Sequence, residues 1–195
     1  MKKIRILILL LALLLLAGCA KDYTREDAEK KLEKAGIKAE FVLEKTDDKD
    51  TIWTYRDKNG TEFRVIEYWY VTGIDATKWD ASKLLNEYPY LMTDTYIKDI
   101  PVTAKIDKTY NYKYTDFLTS YTLTYEFKTE DELKAQVKEC NKVAKALRKK
   151  NKHCKFIVVF QNEDENFETS RTISRNNKKI KYKNVLKNYR ERNNG

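Results

Sequence analysis

Two cysteines and the single histidine of the chain, Cys140, His153 and Cys154, are the residues best suited to nucleophilic or metal chemistry. A nucleophilic thiolate needs a pocket and a group that orients its base, and no such pattern surrounds them. Neighbouring side chains on a strand point to opposite faces, which separates His153 from Cys154. A metal site would need a fourth ligand at suitable spacing, and none is evident. Two alternatives stay open for Cys140 and Cys154: a disulfide bond, or two separate buried thiols.

The carboxylates fall mostly in turns and on predicted solvent-facing positions. The acidic groups at residues 47–50 and 163–165 lack the ligand order and the distal glutamate of a calcium loop. The sequence also contains no glycine-rich phosphate loop and no Gly-x-Ser-x-Gly nucleophile elbow. We therefore predict a protein without a catalytic site, a metal site or a cofactor.

Aromatic residues concentrate in a predicted hairpin between residues 51 and 72. One interpretation is cross-strand packing beneath a helix. The other is a surface platform for a sugar or a peptide, formed by Trp53, Tyr68 and Tyr70. The exposure of these three side chains separates the two interpretations, because a platform must be open to solvent.

The first nineteen residues have the three parts of a secretory signal. Lys2, Lys3 and Arg5 form a basic head, and an apolar run at 6–17 leads into small residues before Cys19. Twelve helical residues rise about 18 Å, against a hydrocarbon core of about 30 Å. The run is therefore too short to span a bilayer comfortably, which favours an export signal over a transmembrane anchor.

The four residues that end this signal, Leu16-Ala17-Gly18-Cys19, resemble the lipobox of bacterial lipoproteins. The resemblance covers only the leader, and it implies that residues 1–18 are cleaved and that Cys19 receives a diacylglycerol. Residues 19–23 would then form a lipidated N-terminus and a short tether, so that the folded part lies close to the extracytoplasmic face of the membrane. One acyl chain binds a bilayer only marginally, whereas two or more hold a protein stably.

Basic residues concentrate in two segments of a chain whose formal net charge is +9. Residues 142–155 contain seven Lys or Arg and no acid, and residues 175–195 contain eight Lys or Arg and one acid. Such runs are often an ordinary solvated surface, but they also favour anionic partners. For an exported lipoprotein we expect anionic lipids or wall polymers, and not nucleic acid.

Periodicity and capping signals define the elements that position these residues. In the first half we predict a helix at 25–35, a half-buried strand from Ile37 to Glu44 with Phe41 and Leu43 facing inward, a hairpin at 51–72, and a helix at 77–88 that Pro89 ends. In the second half we predict strands at 110–114, 121–127, 154–161 and 167–174, a long helix at 130–150, an edge strand at 178–182 and a brief terminal helix.

These elements predict an α+β fold in which two or three helices cover a mainly antiparallel β-sheet. Hairpin-length connections dominate, which argues against a doubly wound parallel sheet. Residues 24–195 are expected to form a single extracytoplasmic domain after the cleaved signal.

The function predicted from the sequence is that of a membrane-anchored cell-envelope lipoprotein with a non-catalytic interaction or structural role. The alternative is a small ligand-, peptide- or toxin-binding lipoprotein of the immunity type, which would use the aromatic hairpin face. The sequence does not identify a protein partner or an oligomeric state.

Overall fold

The computed structural model describes residues 22–73 and 79–193. The predicted signal and Cys19 lie outside the described residues. The chain divides into two compact units, Met1–Leu85 and Asn86–Gly195. Unit 1 contains α1 (Arg25–Ala35), β1 (Ala39–Asp47), β2 (Asp50–Asp57), β3 (Glu62–Thr72) and β4 (Trp79–Asn86, whose last residue belongs to unit 2). Unit 2 contains α2 (Tyr88–Ile97), β5 (Lys105–Tyr110), β6 (Leu118–Glu126), α3 (Glu130–Lys150), β7 (Phe156–Asn162), β8 (Phe167–Ile173) and α4 (Tyr182–Asn193).

The α+β class and the mainly antiparallel pairing predicted from the sequence are confirmed. The strands form two four-stranded sheets, in the orders β1-β2-β3-β4 and β5-β6-β7-β8, where the sequence analysis expected one sheet. In the second sheet β6 and β7 are parallel, and α3 lies between them in the chain. The central position predicted for β7 is confirmed, because it pairs with both β6 and β8.

Helix α1 begins and ends where its capping residues predict. The Asp27 N–H donates to Thr24 Oγ1 at 3.3 Å, and the Thr24 N–H donates to the Asp27 carboxylate at 3.2 Å. Gly36 ends the helix in the left-handed region, at φ 68°, which a residue without a Cβ adopts without strain. Ala28 and Leu32 are buried, and Lys31 Nζ donates to the carbonyl of Leu84 in β4.

Helix α3 carries the predicted apolar face towards the core of unit 2. Thr129 and Glu132 form its capping box, with the Glu132 N–H donating to Thr129 Oγ1 at 3.2 Å. Acidic residues fill its first turn and basic residues its last, as the helix dipole favours. Its buried positions include the five predicted from the sequence: Leu133, Val137, Cys140, Ala144 and Leu147.

The predicted helix at 77–88 is wrong. Residues 77–78 lie outside the described residues, and residues 79–86 form strand β4 instead. Pro89 occupies the first turn of α2, where its missing N–H costs nothing, so it opens the next helix and does not end a preceding one. The side chain of Asn86 supports this start by accepting from the Tyr88 N–H at 3.1 Å.

The predicted strand at 178–182 is also wrong, because a side chain takes the place of a neighbouring strand. Asn141 Nδ2 donates to the carbonyl of Ile180 at 2.9 Å, and the Ile180 N–H donates to Asn141 Oδ1 at 2.8 Å. Both backbone groups of Ile180 are thereby satisfied by α3. The terminal helix that follows was predicted and is present as α4.

The predicted strand at 110–114 is wrong, because β5 ends at Tyr110 and residues 111–114 are not in a strand. The buried Asn111 forms a side-chain turn in which its Oδ1 accepts from the Lys113 N–H at 2.9 Å and the Tyr114 N–H at 3.3 Å. Asparagine side chains compete in this way with strand pairing, and the alternation of tyrosines does not reveal it.

Strand β1 is confirmed, but its predicted inward face is not. Phe41 pairs with Tyr55 and Leu43 pairs with Thr54, so a bulge at Val42 places Phe41 and Leu43 on opposite faces. The exposed fractions of their side chains are 38% and 49%.

Candidate anion-binding site

The two basic segments of the sequence meet in one concave surface of unit 2. We call it the basic pocket; its volume is about 550 Å³, and its lining residues are Arg148, Lys152, Arg175, Asn176 and Lys178. The first two belong to the segment 142–155 and the other three to the segment 175–195. The fold therefore brings together side chains that are separated by more than twenty residues in the chain.

Arg148 links the two segments directly. It lies in the last turn of α3, and its Nη1 donates to the backbone carbonyl of Lys178. The negative end of the helix dipole accounts for a basic last turn. It does not account for Arg175 and Lys178, which reach the same place from another part of the chain.

A rigid turn after α3 presents Lys152. The Asn151 N–H donates to the Leu147 carbonyl at 2.9 Å, and Asn151 Nδ2 donates to the Tyr88 hydroxyl at 3.1 Å. Asn151 Oδ1 in turn accepts from the His153 N–H at 2.9 Å. Because one asparagine anchors the turn on both sides, the backbone that carries Lys152 has a defined position.

A second turn presents Arg175 and Asn176. The Ser174 N–H donates to the Asn177 carbonyl at 2.9 Å, and the Asn177 N–H donates back to Ser174 Oγ at 3.3 Å. Asn177 Nδ2 also donates to the carbonyl of Thr172 at 2.6 Å, which ties the turn to the end of β8. Arg175 and Asn176 occupy the two middle positions of this turn.

The lining of the basic pocket combines four cations with one amide and contains no carboxylate. The positive charge also affects the neighbouring His153. Burial lowers the pKa of its imidazole below 6.5, and the charges of Lys152 and Arg175 lower that pKa further. Arginine suits bidentate contacts with phosphate or carboxylate, lysine adds point charge, and the Asn176 amide can donate. The arrangement is suited to an anion with several oxygen atoms.

Cys140 and Cys154 are free thiols with exposed fractions of 0% and 1%. Of the two alternatives left open by the sequence, the structure contains the two separate buried thiols and not the disulfide. Burial raises the pKa of each thiol to about 12, and Cys154 Sγ donates weakly to the Leu147 carbonyl at 3.7 Å. Neither thiol is therefore a ready nucleophile at neutral pH.

The imidazole of His153 is placed for packing. Its ring meets the ring of Tyr88 edge to face, with 5.8 Å between the centroids. Within residues 22–73 and 79–193, no group of three or more His, Cys, Asp or Glu side chains is arranged to hold a metal ion.

The three residues of the predicted aromatic platform do not share one exposed surface. Trp53 has an exposed fraction of 2%, and its indole N–H donates to Glu44 Oε2 at 2.9 Å. Tyr68 and Tyr70 do stack, at 6.4 Å between ring centroids, but the Lys83 ammonium lies 5.7 and 5.1 Å from those centroids. Trp53 thus belongs to the core, which corrects the platform as it was predicted.

Sequence reasoning identified the basic segments but not the members of the pocket. Asn176 lies within the predicted partner segment 175–195, but it was not itself predicted to contact a ligand. The available signals were the turn-forming residues Asn151 and Asn177, because asparagine in a short polar connection commonly fixes a turn whose neighbours project outward.

In the part of the chain that the structure describes, no helix is long and apolar enough to cross a bilayer. Comparison with protein-family models, with curated proteins and with solved structures finds no match to this chain.

Proposed function

We propose that the protein is a membrane-anchored lipoprotein of the bacterial cell envelope with a non-catalytic binding role, and that its basic pocket takes phosphate groups of anionic lipids or wall polymers. The convergence of Arg148, Lys152, Arg175 and Lys178 in one pocket without a carboxylate carries this proposal. A solvated charge run requires no such convergence, because scattered cations serve solubility equally well.

The anchor rests on the lipobox resemblance at Cys19. Thr24 caps α1 five residues later, and the Tyr23 N–H already donates to Glu67 Oε1 at 2.9 Å. Five extended residues reach at most about 18 Å. Lipidation of Cys19 would therefore hold the first helix of unit 1 close to the membrane surface, where anionic headgroups and polymers are available.

The magnitude of the electrostatic attraction is adequate for such a role. A basic residue near an anionic membrane contributes about 1 kcal/mol, so four contribute about 4 kcal/mol, or roughly a thousandfold in affinity. Burial raises the pKa of both free thiols to about 12, which supports a binding role over thiol catalysis.

Binding to two phosphate-bearing probes tests the pocket. The chain from residue 20 onward, without the apolar leader and Cys19, would be titrated with poly(glycerol phosphate), and it would be sedimented with vesicles of phosphatidylglycerol or phosphatidylcholine. We expect the double variant Lys152→Gln/Arg175→Gln to lose at least tenfold in affinity for the preferred probe. The matched control is Lys142→Gln/Lys145→Gln, which removes the same charge from exposed positions of α3 outside the pocket lining.

If the two double variants lose the same affinity, the binding depends on general surface charge. That result would contradict a phosphate site in the basic pocket. A preference for the polymer or for the vesicles decides which source of phosphate is bound. The anchor is tested separately by intact mass and membrane fractionation of the native chain beside Cys19→Ala. A soluble and unacylated native protein would contradict the lipoprotein assignment.

A further inference from the structure

A buried hydroxyl in unit 1 has no hydrogen-bond partner in the part of the chain that the structure describes. Tyr55 has an exposed fraction of 1%, and its hydroxyl oxygen contacts no donor or acceptor within the described residues. Leaving a buried polar group unsatisfied destabilises the folded state. Tyr55 also lines an open groove, so a ligand that displaces the side chains covering the hydroxyl would supply the missing partner.

This groove lies between α1 and the beginning of β1, and we call it the α1–β1 groove. Its volume is about 620 Å³, within the range of ligand sites. Its apolar lining comes from Leu32, Ile37, Phe41 and Tyr55. The rings of Phe41 and Tyr55 meet edge to face with 6.0 Å between centroids, and Phe41 is partly exposed.

One wall of the groove carries three carboxylates at helical spacing: Glu26, Glu29 and Glu33. Two lysines also line the groove, and one of them, Lys30, faces Glu26 at 3.8 Å. Glu33 makes no ion pair within the described part of the chain, and it therefore offers an unengaged negative charge beside the apolar surface.

An arginine of the chain itself shows which chemistry the groove accepts. The Arg25 guanidinium carbon lies 4.8 Å from the centroid of Phe41, and Arg25 Nε lies 3.3 Å from Glu29 Oε1. A cation is thus held against both an aromatic face and a carboxylate, which is the favourable geometry for guanidinium recognition.

The strand beside the groove is an edge strand. Within the described sheet β1 pairs with β2 alone, so its outer edge presents backbone donors and acceptors. Ala39 and Phe41 both line the groove and belong to the start of β1. An extended segment that pairs with β1 would direct alternate side chains towards the groove.

We propose that the α1–β1 groove binds an extended basic peptide segment of a partner protein. The peptide backbone adds along β1, and an arginine or lysine side chain enters the groove beside Glu33, where it displaces Arg25 from Phe41 and Glu29. The Tyr55 hydroxyl accepts a hydrogen bond from that side chain. This site lies in unit 1 and does not depend on anion binding by the basic pocket.

Fluorescence anisotropy with a labelled Arg-Val-Arg-Val-Arg-Val peptide tests the proposal on the chain from residue 20 onward, which lacks the apolar leader and Cys19. We expect Tyr55→Phe to weaken binding by about threefold to tenfold, which corresponds to one hydrogen bond, while the melting temperature stays equal or rises. Glu33→Gln should weaken binding by a similar factor. Glu168→Gln, the same charge change at an exposed position of β8, should leave it unchanged.

Two further peptides separate this site from general attraction between charges. An acidic Glu-Val-Glu-Val-Glu-Val peptide should not bind, and a basic peptide N-methylated at alternate residues should lose most of its affinity because it cannot pair with β1. Unchanged binding by Tyr55→Phe, equal effects of Glu33→Gln and Glu168→Gln, or full binding of the methylated peptide would each overturn the proposal.

Discussion

The two units differ in the hydrogen bonding of the residues around their proposed binding sites. In unit 2, hydrogen bonds within the chain hold both turns that carry cations of the basic pocket. In unit 1 the Tyr55 hydroxyl is buried without a partner among the described residues, and Phe41 and Leu43 are exposed on an edge strand. The two proposed sites therefore differ: the basic pocket presents cations on hydrogen-bonded turns, whereas the α1–β1 groove includes a buried hydroxyl without a partner in the described residues.

The largest expected effect is on the free energy of unfolding, when a buried leucine of unit 2 and an exposed leucine of unit 1 are each replaced by alanine. Leu147→Ala removes a side chain with 0% exposure beneath the turn that carries Lys152, so unfolding should become easier by about 2–5 kcal/mol. Leu43→Ala, at 49% exposure in unit 1, should change the free energy of unfolding by less than about 0.5 kcal/mol. Chemical denaturation measures both. A large cost for Leu43→Ala would contradict the exposed face of β1.

A smaller effect tests whether N-terminal capping stabilises α1 in unit 1 and α3 in unit 2 to the same extent. Thr24→Ala and Thr129→Ala each remove the capping hydroxyl of a complete capping box, and each should cost about 1 kcal/mol. Denaturant midpoints measure the change, and Thr→Ser at either position serves as the control that keeps the hydroxyl. A negligible cost at Thr24 alone would show that α1 is held by its tertiary contacts and not by its cap.

Two buried tyrosines give the sharpest comparison of hydrogen bonding. Tyr125 in unit 2 donates its hydroxyl to Glu139 Oε1 at 3.3 Å, whereas the Tyr55 hydroxyl has no partner within the described residues. Tyr125→Phe should therefore cost about 0.5–1.5 kcal/mol, and Tyr55→Phe should be neutral or stabilising. Thermal unfolding of both variants measures the difference. An equal cost at the two positions would mean that the Tyr55 hydroxyl has a partner after all.

The smallest expected effect is a pH dependence in unit 2. Folding lowers the pKa of His153 below its value near 6.5 in the unfolded chain. The neutral imidazole therefore favours the folded state above pH 6.5, and this stabilisation is lost as the pH falls through the pKa of His153 in the folded chain. Stability should therefore fall between pH 7 and pH 5 less steeply in His153→Gln than in the native sequence. Parallel slopes would show that His153 is not buried as described.

Local signals allowed much of the fold to be predicted. The capping residues of α1 and α3 lie within one turn of the elements they begin, so the sequence alone defines them. The helix predicted at 77–88 failed because Pro89 is compatible with the end of one helix and with the start of another. The strand predicted at 178–182 failed because its backbone partner, the Asn141 side chain, is distant in the sequence.

The candidate sites were less predictable for the same reason. Composition identified the two basic segments, but only the turns around Asn151 and Asn177 select which cations meet. The bulge at Val42 separates Phe41 from Leu43, and strict alternation does not reveal it. The α1–β1 groove therefore has no sequence signature beyond an edge strand that follows a helix rich in charged residues of both signs.

The pKa of His153, the only histidine of the chain, tests the central proposal most directly. In a tag-free soluble chain, its imidazole signals can be followed by NMR against pH, with and without poly(glycerol phosphate) or short-chain phosphatidylglycerol. An anion in the basic pocket offsets the charges of Lys152 and Arg175, so the pKa of His153 should rise when the pocket is occupied. Lys152→Gln/Arg175→Gln should raise it without ligand, whereas Lys142→Gln/Lys145→Gln should not. An unchanged pKa at saturating concentrations of both phosphate probes would contradict anion binding at this pocket.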